Sequence, residues 1–457
     1  MVTGVQTCAL PIFMSKLVLP LKESVGVPVT PIVSVGDHVK RGQLIGKPDG
    51  LGANLHASVY GTVTEINDKA IVIEADDEQP ADYVKIPDTD SNLEAIREAG
   101  VIGAGGAGFP AAAKYSRPIP GGHLFINAAE CEPILGHNIS RITTDAEQII
   151  RGAEYIKEIV QAKDIHIAVK RYHTNVVALL EELTRTHDDI SLELMWNRYP
   201  EGEERAVLRD SGLYKKPDGE NAVLKTTELP YAANAIVANV ETVYRAARAI
   251  ENREPVMSKD ITVAGRLNGD NKMVLVHKDV PVGTLVGDIL SEFPDMADYG
   301  ELIMGGPFTG HSTTLDSPIT KVDGGIIATI PFPNLHGEKV GLLACACSAT
   351  PARMKELAKK MNADVTGVEW CKNAVINPKT GTAKCKNPGI CPGQAQTILK
   401  LRKEGAKTLL VGNCTDCTNT VMGVAPKLNM PVYHTTDFAR RAVDMRIMRN
   451  ILPENNE

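Results

Sequence analysis

Two groups of residues could carry chemistry. Seven of the nine cysteines fall after residue 340, as Cys345-Ala346-Cys347, Cys371, Cys385-(x5)-Cys391-Pro392 and Cys414-Thr415-Asp416-Cys417. Irregular spacing, in a long chain where no export signal is read, points away from a disulfide scaffold and toward thiol or metal chemistry. As thiolates these residues could exchange electrons through dithiol pairs, with Cys414/Cys417 as one pair and Cys385/Cys391 as another, joined by Cys345 and Cys347. A [4Fe–4S] cluster held by some of these residues, Cys371 included, is the alternative, and zinc a lesser one. Thiol redox is favoured because no compact cluster run of cysteines is present.

The second group is a glycine-rich loop, Gly103-Ala104-Gly105-Gly106-Ala107-Gly108-Phe109-Pro110. Without Cβ atoms in the way, its backbone N–H groups could approach a phosphate. The loop is no Walker A sequence, because no Gly-Lys-Ser/Thr ends it, and it lacks the dinucleotide GxGxxG setting. Three later segments could complete a site: Asn127-Ala128-Ala129-Glu130-Cys131-Glu132-Pro133, Tyr199-Pro200-Glu201-Gly202-Glu203-Glu204 and Val237-Ala238-Asn239-Val240-Glu241-Thr242. A lone carboxylate in such a loop is usually just solvated; grouped around one loop, acidic groups could bond sugar hydroxyls and a lysine could offset the charge of a phosphate.

The elements that must position these groups form several domains. A chain of 457 residues is too long for one core. A net charge of −7 argues against nucleic acid or an anionic membrane as the main partner. No run reaches the length of a spanning helix. Residues 14–85 alternate short Val/Ile runs with Gly and Pro, which predicts a barrel-sandwich β module like biotinyl and lipoyl domains, but with no modifiable Lys at the tip. Residues 86–255 read as α/β, with strands at His123–Asn127, Ile165–Lys170 and Ser191–Met195 and helices at Leu93–Ala99, Thr144–Gln161 and Val176–Thr184. Residues 256–333 read as a hairpin, a short helix and a strand-turn, a β-grasp insert. Residues 334–457 predict a second doubly wound α/β domain, with strands at 340–344, 364–368, 408–411 and 430–433. There Cys345, Cys347, Cys371, Cys414 and Cys417 follow strands, so they should share the carboxyl edge of the sheet. Cys391 should open a helix, which would lower its thiol pKa. His434 and Asp437 should stand near the same edge, with Asp437 capping the next helix. Val2–Ile12 matches the translation of a sequencing adapter, so residues 1–13, Cys8 included, are expected to be foreign, and the native chain to begin near Met14.

In this order, the four segments resemble the flavin-bearing subunit of respiratory complex I, and more closely the C subunit of Rnf-type electron transport complexes. The resemblance implies FMN bound through Gly103, Gly105, Gly106, Lys114, Asn127, Glu130, Tyr199, Gly202, Glu203, Asn239 and Thr242, with Gly108 and Glu132 in the same segments. It implies NADH nearest Phe109 and Glu204, and an SLBB-like character for the β-grasp insert. The complex I pattern has Arg where this chain has Ala104 and an aromatic residue where it has Arg117, so no aromatic sandwich around adenine is expected. The CxxCxxCxxxCP run of Rnf C subunits is absent. Instead Cys385–Gln394, Gly412–Met422 and Tyr433–Asp437 resemble the proline-reductase-associated electron transfer proteins, Rnf C-like relatives from amino-acid-fermenting anaerobes. That implies a cytoplasmic protein, or one peripheral to a membrane complex, passing NADH electrons through cysteines to a dithiol-dependent reductase such as proline reductase. Cobalamin reductase-like activity and an Rnf-type membrane-complex subunit with an iron–sulfur cluster are the alternatives.

Overall fold

A computed structural model describes residues 6–7, 15–214, 222–269, 271–412 and 415–445. Near the N-terminus, two antiparallel sheets face each other: Lys16–Pro20, Ala70–Ala75, Gly61–Ile66 and His38–Val39 in one, Val29–Pro31, Leu44–Pro48 and Leu55–His56 in the other. Alternation delivers Leu17, Leu19, Val63, Ile71 and Ile73 to a shared core. Gln6–Thr7, within the segment read as foreign, runs parallel to Leu275 and Val276 of a later strand.

The next sheet is fully parallel, in the order Ile190–Met195, Asp164–Lys170, His123–Ala128, Ala235–Asn239. Connections from His123–Ala128 run outward to one side, and the last strand adds on the other. Its topological switch point therefore lies between His123–Ala128 and Ala235–Asn239, where an open α/β sheet leaves a crevice at its carboxyl ends. Register places Asn127 directly beside Asn239 there. The long helix His137–Val160 covers one face and turns Ile142, Ala146, Ile149, Ala153, Ile156 and Val160 inward at helical spacing. Gly152 lets it approach the helix Val240–Asn252, since a Cβ there would meet the Val243 carbonyl at 2.5 Å. The helix begins seven residues before the predicted Thr144. Its first turns bury His137, Asn138, Ser140 and Arg141 around Ile142, and Asp145 breaks its dihedrals, so the apolar period is diluted ahead of the kink.

Residues 258–328 build a mixed sheet on the predicted hairpin, Ser258–Asn268 with Asn271–Pro281, joined by Gly325–Ala328, Leu302–Met304 and His311–Thr313. Arg141 ties the long helix to it, reaching Asp260 at 2.7 Å and Asp279 at 2.9 Å.

The C-terminal sheet is again parallel, in the order Ala363–Trp370, Glu338–Ala344, Thr408–Val411, Val432–His434. Cys345 and Cys371 directly follow its two first strands, as expected. Two expectations fail. The helix after Cys391 starts only at Ala395, because Gly393 takes a positive φ of 86° and stops helical geometry from propagating back, so Cys391 has no helix N-terminus under it. Asp437 accepts from the His434 N–H at 3.0 Å instead of capping its helix, whose N-cap is Thr436. Cys414 and the side chain of Cys417 lie outside the described residues.

Candidate functional site

A cleft of about 380 Å³ opens at the switch point of the middle sheet. Of the residues expected there, Gly103, Gly105, Gly106, Phe109, Lys114, Asn127, Glu130, Glu132, Gly202, Glu203, Glu204, Asn239 and Thr242 line it. The glycine loop is closed on itself, Gly103 N–H donating to the Phe109 carbonyl at 2.8 Å and Gly108 N–H to the Gly103 carbonyl at 3.1 Å. Thr242 fixes its entry: the hydroxyl accepts from Ala104 N–H at 2.9 Å and donates to the Ile102 carbonyl at 3.1 Å. Asn239 in turn caps the helix that holds Thr242, accepting from the Glu241 N–H at 2.9 Å. Among the described residues, the N–H groups of Gly105, Gly106 and Ala107 have no protein acceptor. Gly106 has φ +96° and open space where a Cβ would stand. Bare donors in a glycine cradle fit a phosphate.

Acidic and basic groups surround that cradle. Lys114 donates to Glu204 at 2.9 Å and to the Val237 carbonyl at 2.6 Å. Asn127 donates to the Gly202 carbonyl at 2.8 Å, locking the Glu-rich turn against the first strand of the sheet. Glu203 caps the helix Glu204–Asp210, accepting from Arg205 and Ala206 N–H. Glu130, at a positive φ of 36°, accepts from the Asn138 N–H at 3.1 Å, and its carbonyl takes the buried Lys170 ammonium at 2.8 Å. Burial pulls the Lys170 pKa down. Glu132 reaches the later mixed sheet, accepting from the N–H groups of Phe308 and Thr309 at 2.9 Å each. Its own burial raises its pKa, against those donors.

Two expected residues stand elsewhere. Gly108 faces Val322 and Glu23 behind the loop, and its carbonyl takes the Val25 N–H at 2.8 Å. Tyr199 lies buried behind the cleft, its ring stacked on Phe308 at 3.6 Å and 4°, its hydroxyl donating to the Cys347 carbonyl. Arg117 sits over the Tyr231 ring at 3.4 Å and takes no place in the cleft lining.

Cys131 was not expected in a site and lines the cleft wall. Burial pushes its thiol up to about 12. It packs in the same apolar cluster as Tyr199, Phe308, Cys345, Cys347 and Cys391, so the cleft and the cysteine crevice share one wall. The only local signal was its place between Glu130 and Glu132. In the crevice, Gln394 donates to both Cys371 at 3.1 Å and Cys391 at 3.2 Å, and Cys391 lies 3.1 Å from the Thr420 hydroxyl. Gln394 thus bridges Cys391 to Cys371, where the spacing suggested Cys385. Cys385 instead presents its carbonyl to Arg205 at 2.7 Å, and Arg209 donates to the Pro388 carbonyl at 2.7 Å. The helix Glu204–Asp210 therefore touches both the cleft and the cysteine-bearing loop.

The Nuo51 FMN-binding domain family matches residues 96–248, and the RnfC barrel sandwich hybrid domain matches residues 5–85. The chain is 28% identical over 356 residues to the C subunit of the proton-translocating ferredoxin:NAD(+) oxidoreductase complex of Clostridium ljungdahlii, covering 72% of this chain and 74% of that one. Solved structures of an NAD+-reducing [NiFe]-hydrogenase, H2-reduced and air-oxidised, align at 20% identity with TM-scores of 0.44 and 0.43, over 52% of this chain and 46% of theirs. That overlap is less than half of the hydrogenase chain. The middle of the chain is thus a flavin domain of the complex I type, with FMN as its cofactor. A barrel sandwich stands ahead of it, in the order of an Rnf C subunit, so the chain is similar to the RnfC-like family over both matched domains. Among the described residues, no helix is long and apolar enough to cross a membrane.

Proposed function

We propose that the cleft binds FMN phosphate on the Gly103–Ala107 loop, with Asn127, Glu130, Gly202 and Glu203 around the ring, and that NADH approaches past Phe109 and Glu204. Bound there, FMN supplies the hydride-to-single-electron conversion that a nicotinamide donor needs. The chain's own residues orient both, hold the phosphate and keep the ring in a partly dehydrated wall. Electrons then leave through the cysteine domain to a dithiol-dependent reductase, of the proline-reductase type, in the cytoplasm or beside a membrane complex. The carrying observation is the single apolar cluster that joins Cys131 and the Tyr199–Phe308 stack to Cys345, Cys347 and Cys391.

A cluster-bearing protein is the second reading, favoured by the way one amide reaches both Cys371 and Cys391. Residues 14–85, 86–255, 256–333 and 334–457 serve in this proposal as barrel, flavin, SLBB-like and cysteine domains, with residues 1–13 foreign. Anaerobic purification with flavin, iron, sulfide and thiol counts tests it. One FMN bleached by NADH, followed by new thiols at low iron, supports the relay; stoichiometric iron and sulfide replace it with the cluster. An apo-protein that takes up no FMN overturns both.

A further inference from the structure

At the opposite rim of the flavin-domain sheet, at the amino ends of its strands, three ligating atoms converge. His123 Nδ1 lies 2.7 Å from Asp164 Oδ1 and 3.2 Å from His166 Nε2. His166 Nε2 lies 3.1 Å from the same carboxylate oxygen. Strand register makes this convergence: His123 pairs laterally with Asp164, and His166, two residues on, shares Asp164's face. Behind it, His166 Nδ1 meets Glu193 Oε1 at 2.9 Å and Ser191 Oγ at 2.7 Å, both from the adjoining strand. The ring rests on Phe125, 5.0 Å between centroids.

Hydrogen bonds between neutral rings do not satisfy this arrangement. If His166 donates from Nδ1 to Glu193, its Nε2 and Asp164 Oδ1 are two acceptors served by the one Nδ1 proton of His123. If the proton sits on Nε2 instead, the Ser191 hydroxyl can donate to the bare Nδ1, but the Glu193 carboxylate 2.9 Å from that nitrogen faces it without a proton between them. A cation removes the conflict in the first tautomer, because both nitrogens and the oxygen then point lone pairs at it. We propose that His123, Asp164 and His166 form a divalent-cation site suited to zinc, with solvent completing the coordination. Ligands about 2.0–2.1 Å from a tetrahedral zinc stand roughly 3.3 Å apart, so the triangle opens by only a few tenths of an ångström on loading. Glu193 is the outer carboxylate that fixes the tautomer and orientation of a ligating histidine. Side chains of His123 and Asp164 are 21% and 24% exposed, which leaves a path for the ion and its water. Lys163 lies 3.8 Å from the other Asp164 oxygen and offsets charge without blocking the site. Four residues of strand, about 13 Å, separate His123 from Asn127 and the cleft. The ion's role is therefore to clamp the amino ends of neighbouring strands.

Cobalt(II) titration of the full-length, metal-free protein under anaerobic conditions tests the site, because N/O ligation gives visible d–d bands without the thiolate charge-transfer band of the cysteine crevice. One cobalt equivalent without that band, displaced by zinc, is expected. His166→Ala should abolish it. Glu193→Gln, which retains an acceptor and the fold, should weaken it about 10- to 100-fold. Any thiolate band should persist in both variants. No thiolate-free equivalent in the wild type, or one that neither variant alters, would overturn the proposal.

Discussion

Replacing Thr242 by Val tests whether the glycine loop is held ready for a phosphate. Valine matches threonine in shape, so the change removes only the hydroxyl that accepts from Ala104 N–H at 2.9 Å and donates to the Ile102 carbonyl at 3.1 Å. Ala104 is 8% exposed and Thr242 2%, so water replaces neither partner easily. A buried donor left without its acceptor costs about 1–3 kcal/mol, and the carbonyl loses a bond of about 1 kcal/mol. If part of that, about 1.4–2.8 kcal/mol, falls on the loop's ability to hold its shape around a ligand, FMN affinity drops roughly 10- to 100-fold. Quenching of FMN fluorescence gives the dissociation constant, and circular dichroism with a melting curve confirms the fold. Thr242→Ser keeps the hydroxyl and should bind within a few-fold of wild type. A folded Thr242→Val protein that binds FMN as tightly as wild type would refute the preorganised-loop argument.

Three other outcomes follow from contacts behind the cleft. Tyr199→Phe keeps the stack on Phe308 and deletes the bond to the Cys347 carbonyl; stopped-flow bleaching by NADH should be unchanged, while a thiol count should rise several-fold more slowly. Arg205→Met removes a buried charged donor from the Cys385 carbonyl, which costs about 1.5–3 kcal/mol and should expose the cysteine loop to proteolysis before global unfolding. Burial raises the Glu23 pKa to about 7 against the Lys321 ammonium 4.0 Å away. The native state then binds more protons than the unfolded chain between about pH 4.5 and 7, so this group's contribution to stability falls as pH rises through that window. Denaturant melts of Glu23→Gln should therefore gain on wild type across that window, by up to about 1.4 kcal/mol per pH unit, and an advantage independent of pH would count against it.

What could be read from sequence, and what could not, divides by the distance over which each signal acts. Every strand of the two parallel sheets except Ala235–Asn239 was legible, because short Val/Ile runs alternate with helical periods along the chain. So was the glycine loop, because φ values such as the +96° of Gly106 restrict residue type at a single position. The start of the long helix was missed because it buries polar residues: Arg141 faces Asp260 and Asp279, more than a hundred residues away, and no local period announces that. Cys391 was set on a helix that begins four residues later, since Pro392 resembles a helix start and only the φ of Gly393 decides otherwise. Glu132 was expected beside a flavin, and its carboxylate accepts from the N–H groups of Phe308 and Thr309, in the turn between two strands of the later mixed sheet.

The same division explains why the cysteines were easier to place than to pair. Strand ends put Cys345 and Cys371 at one edge whatever their chemistry, because the topology of a parallel sheet does so. Pairing depends on side chains brought in by loops, and there Gln394 selects Cys371 for Cys391. Cys131 makes the stronger case. No cysteine follows it for two hundred residues, yet its place at the cleft wall and in the same apolar cluster as Cys347 puts a sulfur between the cleft and the cysteine crevice. Burial pushes the Cys131 thiol up to about 12, which in the proposed relay fits a small polarisable filler of the wall better than a thiolate. In that reading a thiol relay begins among the C-terminal cysteines, beyond Cys131 in the shared cluster. Cys131→Ser should then leave thiol appearance after NADH at the wild-type rate, and a strongly slowed rate in a folded, FMN-loaded variant would put Cys131 in the path after all.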